Sequence, residues 1–160
     1  MAFLLIPAGV VVVGLVGYKI YGSTAQDPSS NLYLSETLNG KSIGQRMMND
    51  LLNDDDEIIT DYYYPVTPGK HGYLVCKTAT SCFLTQLRGN EKDLILEIIL
   101  VPWEPSTDMK IGQTNMSVKD FRMRVTQFAD SFGTYTLEAN DCRHFTSRLI
   151  QTLAAVGPAL

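Results

Sequence analysis

The chain opens on an unbroken apolar run: Ala2 to Tyr18 carry no charge, and Lys19 ends the stretch. About 17 residues is the shortest length that spans hydrocarbon. Pro7 and the four valines Val10 to Val13 would make a poor buried helix in a soluble domain, because proline breaks the hydrogen-bond ladder and β-branched side chains lose rotamer freedom. Residues 1–21 therefore read as an N-terminal apolar helix that anchors the protein in a membrane. A cleaved signal peptide is the alternative, with Ser23-Thr24-Ala25 as its small-residue cleavage site. Tyr18 and Tyr21 suit the headgroup region, and Lys19, Lys41 and Arg46 all follow the run. That bias places the domain on the cytoplasmic side or its topological equivalent. Residues 22–31 (GSTAQDPSSN) have the small, polar composition of a linker, and residues 32–160 are enough for one domain with its own core.

Inside that domain the hydrophobic period changes twice. Ser42 and Gln45 form a capping-box pattern, followed by Ile43, Met47, Leu51 and Leu52 near helical spacing, which predicts a short helix to about Leu52. The acidic run Asp54 to Glu57 lacks the alternating ligands and glycine of a calcium loop and reads as a solvated turn. From Ile58 the pattern is β-branched and aromatic: IITDYYY, GYLVCK, CFLTQL and DLILEIILV. Four strands of an antiparallel sheet are expected there, with Arg88-Gly89-Asn90 turning between the third and fourth, and the nearly continuously apolar fourth at the centre. Pro102-Trp103-Glu104-Pro105 closes the sheet section.

Helical spacing returns at Val118, Phe121, Val125, Phe128 and Phe132, behind a Ser117/Asp120 cap and ahead of Gly133 as the stop. A short strand from Thr134 to Glu138 leads into a last helix with Phe145, Leu149 and Leu153 on one stripe, ending before Gly157-Pro158. The expected fold is α+β, a small antiparallel sheet packed by two or three helices, with Phe121, Val125, Phe128 and Leu149 sharing its core.

Charge and cysteine content narrow the function. A net charge of −4, with 13 Lys and Arg scattered along the chain, leaves no basic stripe for phosphates, so nucleic acid is not an expected partner. Cys76, Cys82 and Cys142 include no CxxC pair and are too few for a disulfide scaffold, which fits a reducing compartment. Cys76 and Cys82 read as strand core residues. A zinc site joining them to Cys142 and a histidine lacks ligand spacing, so neither a metal nor a cofactor is expected.

Cys142 is the chemical clue. Asn140-Asp141 are good N-cap residues, so the cysteine opens the last helix, where unpaired N–H groups and the helix dipole favour thiolate. A thiol nucleophile also needs a base, and His71, just after Pro68-Gly69 at the start of a strand, can meet a helix N-terminus packed across the sheet edge. His144, two residues past Cys142, points to another side of the helix.

The segment YTLEANDCRHFTSRLIQTL resembles the Asn-Cys-x-His-Phe motif of the circularly permuted papain-like thiol enzymes, the group containing lecithin retinol acyltransferase, its phospholipase and acyltransferase relatives, and the permuted peptidases. In that family a strand histidine precedes a helix-start cysteine, the order of His71 and Cys142. The resemblance covers about His71 to Leu153 and implies a permuted papain-like fold. It also implies a base role for His71, a nucleophile role for Cys142, and a structural role for His144 and Phe145. It departs from the family where Asp141 stands directly before the cysteine, since an anion there opposes thiolate formation. The family's third polar residue falls on CFLTQL, where Thr85 and Gln86 are the candidates, and Gln86 can accept an imidazole N–H.

The expected activity is that of a membrane-anchored cysteine hydrolase or acyltransferase acting on an ester, thioester or amide, with membrane lipid as the leading partner. A catalytically silent domain of the same fold, serving as accessory subunit of a membrane complex, is the alternative from another class. A secreted or luminal binding module is the third.

Overall fold

The runs after Ile58 become strands because their alternate side chains can be buried on two sides of one sheet. The computed structural model describes residues 38–48, 56–65, 71–89 and 93–159; the expected anchor and linker lie outside them. Its elements are β1 (Ile43–Met48), β2 (Ile58–Tyr63), β3 (Tyr73–Lys77), β4 (Cys82–Gly89), β5 (Leu94–Val101), β6 (Lys110–Ser117), α1 (Val118–Ser131) and α2 (Cys142–Val156). The strands form one six-stranded sheet in the order β1-β5-β4-β3-β2-β6.

The protein is thus α+β as expected, but the sheet is mixed. β1 runs parallel to β5, while the other neighbours are antiparallel. β1 also replaces the helix expected from Ser42 to Leu52, whose last residues lie outside the described set. Gly44 weakens a helix interior by about 1 kcal/mol relative to alanine, and the open edge of β5 offers a full ladder of hydrogen bonds instead. Ser42 bridges to Thr134 and caps nothing. β5 lies one strand in from that edge, not at the centre, and is buried from Leu94 to Ile98.

Two more elements differ from expectation. The sheet does not close at Pro105: a 3-10 turn at Thr107–Met109 leads into β6, an edge strand that buries only Thr114 and Met116. So weak an alternation, interrupted by Gly112, leaves little strand signal. The strand expected at Thr134 to Glu138 reduces to isolated bridges, Ser42 to Thr134 and Thr136 to Asn140, around a turn in which Glu138 takes φ 66°.

The helices start and stop as their sequences dictate. The Ser117 hydroxyl accepts from the Asp120 N–H at 3.1 Å, and Gly133 ends α1 with φ 74°. α2 lies across β3, β4 and β6. Phe121, Val125, Phe145, Leu149 and Leu153 pack there with Leu74, Phe83, Leu87 and Leu96 of the sheet. Phe128 is only partly buried at the margin of this core, not within it. On the opposite side of the sheet, Tyr63, Tyr73, Val75, Cys82 and Leu84 form a second cluster with Trp103. Among the described residues no helix is long and apolar enough to cross a membrane.

Candidate thiol–imidazole site

α2 begins at Cys142 because Asp141 caps it. The Asp141 carboxylate accepts from the Arg143 N–H at 2.9 Å and the His144 N–H at 3.4 Å, and also takes the Glu138 N–H at 3.0 Å. His144 completes a capping box with the Asp141 N–H, which gives it the structural place expected of it. Asn140 ties the preceding turn by donating to the carbonyls of Phe132 and Thr134.

β3 meets this helix start through His71-Gly72, the two residues before its first strand position. A Cβ at Gly72 would sit 2.9 Å from Arg143 Cα and 3.1 Å from the Cys142 carbonyl oxygen, so only glycine admits this approach of strand to helix. The Gly72 N–H then donates to Cys142 Sγ at 3.4 Å. His71 is carried along with it, so that the imidazole and the Cys142 thiol act on one another's protonation.

The other ring contact of His71 lies on β4. His71 Nε2 and Gln86 Oε1 are 2.7 Å apart, and the Gln86 Nε2 donates to Glu97 Oε2 on β5 at 2.8 Å. Register explains the alignment: Gln86 pairs with Tyr73 on one side and with Glu97 on the other. Arg88 Nε stands 3.1 Å from Glu97 Oε1 as an ion pair. Thr85, the other candidate on this strand, points to the helical side, where its buried hydroxyl has no hydrogen-bond partner among the described residues. The structure therefore brings Cys142, His71 and Gln86 together and leaves Thr85 apart.

Burial opposes charge on both members of the pair, yet each is shifted toward it. For Cys142, burial pushes the thiol pKa up. The hydrogen bond and charge of His71, together with the Gly72 N–H, overcome that and hold it below the ordinary value. For His71, burial pushes down, while the Cys142 bond and charge, then Gln86 and Glu97, carry it above the usual imidazole value. Asp141 does raise the thiol, as its position predicts, but His71 and the Gly72 N–H outweigh it. Its carboxylate is engaged by the Arg143 guanidinium and the helix N–H groups.

Several residues of this site carry no motif. Tyr64, just past β2, lies near enough for the charges of Cys142, Arg143 and Asp141 to act on its phenol, whose pKa is raised chiefly by burial; nothing in the YYY run distinguishes it. Glu97 did carry a signal, as the single ionisable residue inside the apolar run LILEIILV. Cys76 and Cys82 belong to the clusters on opposite sides of the sheet, so a zinc site sharing them does not form. Among the described residues no group of three or more His, Cys, Asp or Glu is placed to hold a metal ion.

What this arrangement defines is a class: a helix-start thiol, a strand imidazole and a side-chain amide behind it, on an α+β frame. No family model, curated protein or solved structure matches the chain.

Proposed function

We propose that the protein is a thiol hydrolase or acyltransferase of the permuted papain-like type, held at a membrane by residues 1–21. The observation that carries the reading is the line of contacts from Cys142 through His71 to Gln86. His71 takes the thiol proton and the sulfur attacks an ester, thioester or amide carbonyl. The leaving group then departs with the proton from His71, leaving an acyl thioester on Cys142. Water or an acceptor hydroxyl, deprotonated by the same imidazole, releases the acyl group and regenerates the thiol. Asp141 occupies the Arg143 and His144 N–H groups, so the Cys142 N–H is the first-turn amide left for the oxyanion. A lipid acyl chain is the favoured substrate, because an anchor keeps the site beside the bilayer.

Incubation with p-nitrophenyl butyrate is expected to add one butyryl group to Cys142, seen as an intact-mass increase that neutral hydroxylamine removes and Cys142→Ala prevents. A folded protein that neither acquires the adduct nor releases p-nitrophenol faster than Cys142→Ala would leave the accessory-subunit reading. That alternative is favoured by the enclosure of Cys142, which is 7% exposed.

The anchor has a separate test. Carbonate washing should leave the full chain in the membrane pellet and detergent should extract it, with release by carbonate counting against an integral span. Asn115 of the Asn115-Met116-Ser117 sequon is exposed on edge strand β6, so a glycan on it in native material would put the domain on the luminal side.

A further inference from the structure

Glu97 is 4% exposed and Gln86 2% exposed, so each must find its hydrogen-bond partners within the protein. We infer that Glu97 is a positioning residue, which sets the tautomer of His71 by fixing which way the Gln86 amide faces. The inference rests on the reading of His71 as the base.

A carboxylate can only accept hydrogen bonds. Gln86 must therefore turn its NH2 to Glu97, as its 2.8 Å contact shows, and its oxygen faces the opposite way, toward His71 Nε2 at 2.7 Å. An amide oxygen holds a hydrogen on Nε2, which leaves Nδ1 as the ring nitrogen with a lone pair for the thiol proton. Arg88, 3.1 Å from the other carboxylate oxygen, balances the charge of Glu97. Gln86 and Glu97 are a register pair, and His71 lies two residues before Tyr73, the other register partner of Gln86, so the sheet itself sets the spacing of the relay. Without Glu97, nothing in this line dictates the direction of the amide. A turned Gln86 would offer NH2 to His71 and require a lone pair on Nε2. The hydrogen would then sit on Nδ1, and that nitrogen could not accept the thiol proton.

The chain has two histidines, so imidazole 15N NMR can follow His71 directly. In a Cys142→Ala background, where the ring is read as the neutral form, His71 should be the Nε2–H tautomer; an Nδ1–H ring there overturns the inference without any further variant. Adding Glu97→Gln, which keeps the volume but can also donate, should move His71 toward Nδ1–H, whereas Glu97→Asp should retain Nε2–H. With Cys142 restored, Glu97→Gln should slow iodoacetamide labelling at pH 6 by up to about tenfold, the whole of the gain that thiolate formation brings. A folded Glu97→Gln protein with the Nε2–H tautomer and unchanged labelling also overturns it. If Cys142→Ala shows the Nε2–H tautomer and Glu97→Gln shifts it, but the parent protein has no enhanced thiol reactivity, the enzyme reading fails while the control of the His71 tautomer by Glu97 stands.

Discussion

At pH 6, iodoacetamide should modify Cys142 up to about tenfold faster than an ordinary exposed thiol and faster still than Cys76 or Cys82. An unperturbed thiol is only about 0.3% ionised at that pH, so complete ionisation would raise the thiolate population about 300-fold. A more acidic thiolate is a weaker nucleophile, and with a Brønsted slope near 0.45 most of that gain is returned, leaving about tenfold. Cys76 and Cys82 move the other way, since burial pushes both thiols above their usual value.

The pH dependence has two limbs. Cys142 is held below its ordinary pKa, so thiolate is lost only as pH falls through that lowered value; His71 is held above its own, so imidazolium is lost only as pH rises through the raised one. Labelling should therefore show a shoulder on the acid side of a normal thiol profile. His71→Ala should erase the shoulder and return the profile to a single high step. Equal, slow labelling of all three cysteines would sink the enzyme reading.

Much of this site was legible because it is built from local rules. A cap residue before a cysteine fixes the start of α2, and a histidine just after a Pro-Gly turn falls at a sheet edge. Between Thr85 and Gln86 the sequence does not choose; the register of β4 against β3 does. The parts that were not legible depend on pairing between distant segments. β1 has helical spacing and a capping pattern, but the apolar edge of β5 decides its state. β6 owes its extended form to β2, against which it pairs from Ile58 to Tyr63. Phe128 keeps the spacing of a core residue yet lies where α1 and α2 open into a groove lined by Arg124, Arg148 and Val156. The sign of the Asp141 effect on the thiol was legible from sequence adjacency, whereas the Arg143 guanidinium that answers its charge was not.

Asp141→Ala is expected to be the most destabilising change in the site, costing about 2–3 kcal/mol, the scale for leaving buried hydrogen-bond donors without an acceptor. An isolated N-cap is worth about 1 kcal/mol, and Asp141 exceeds that because it is 1% exposed and gathers several donors at once. Alanine would strip acceptors from the N–H groups of Glu138, Arg143 and His144 and from the Arg143 guanidinium. The sign of the pH effect follows from its carboxyl group, held far below the usual range. Although burial pushes it up, Arg143, His144 and the N–H groups more than reverse that. A depressed carboxylate contributes its stability above the unfolded pKa of about 3.9 and loses it as pH falls below that value. The difference between parent and Asp141→Ala proteins in urea melts should be full at pH 7, begin to narrow near pH 4 and shrink further toward pH 2. Asp141→Asn, which keeps one capping oxygen but not the ion pair, should fall between them at pH 7. A gap that stayed constant from pH 7 to pH 2 would show that the helix start depends on the shape of this side chain and not on its charge. In that case the one feature separating this segment from the Asn-Cys motif would have no electrostatic purpose.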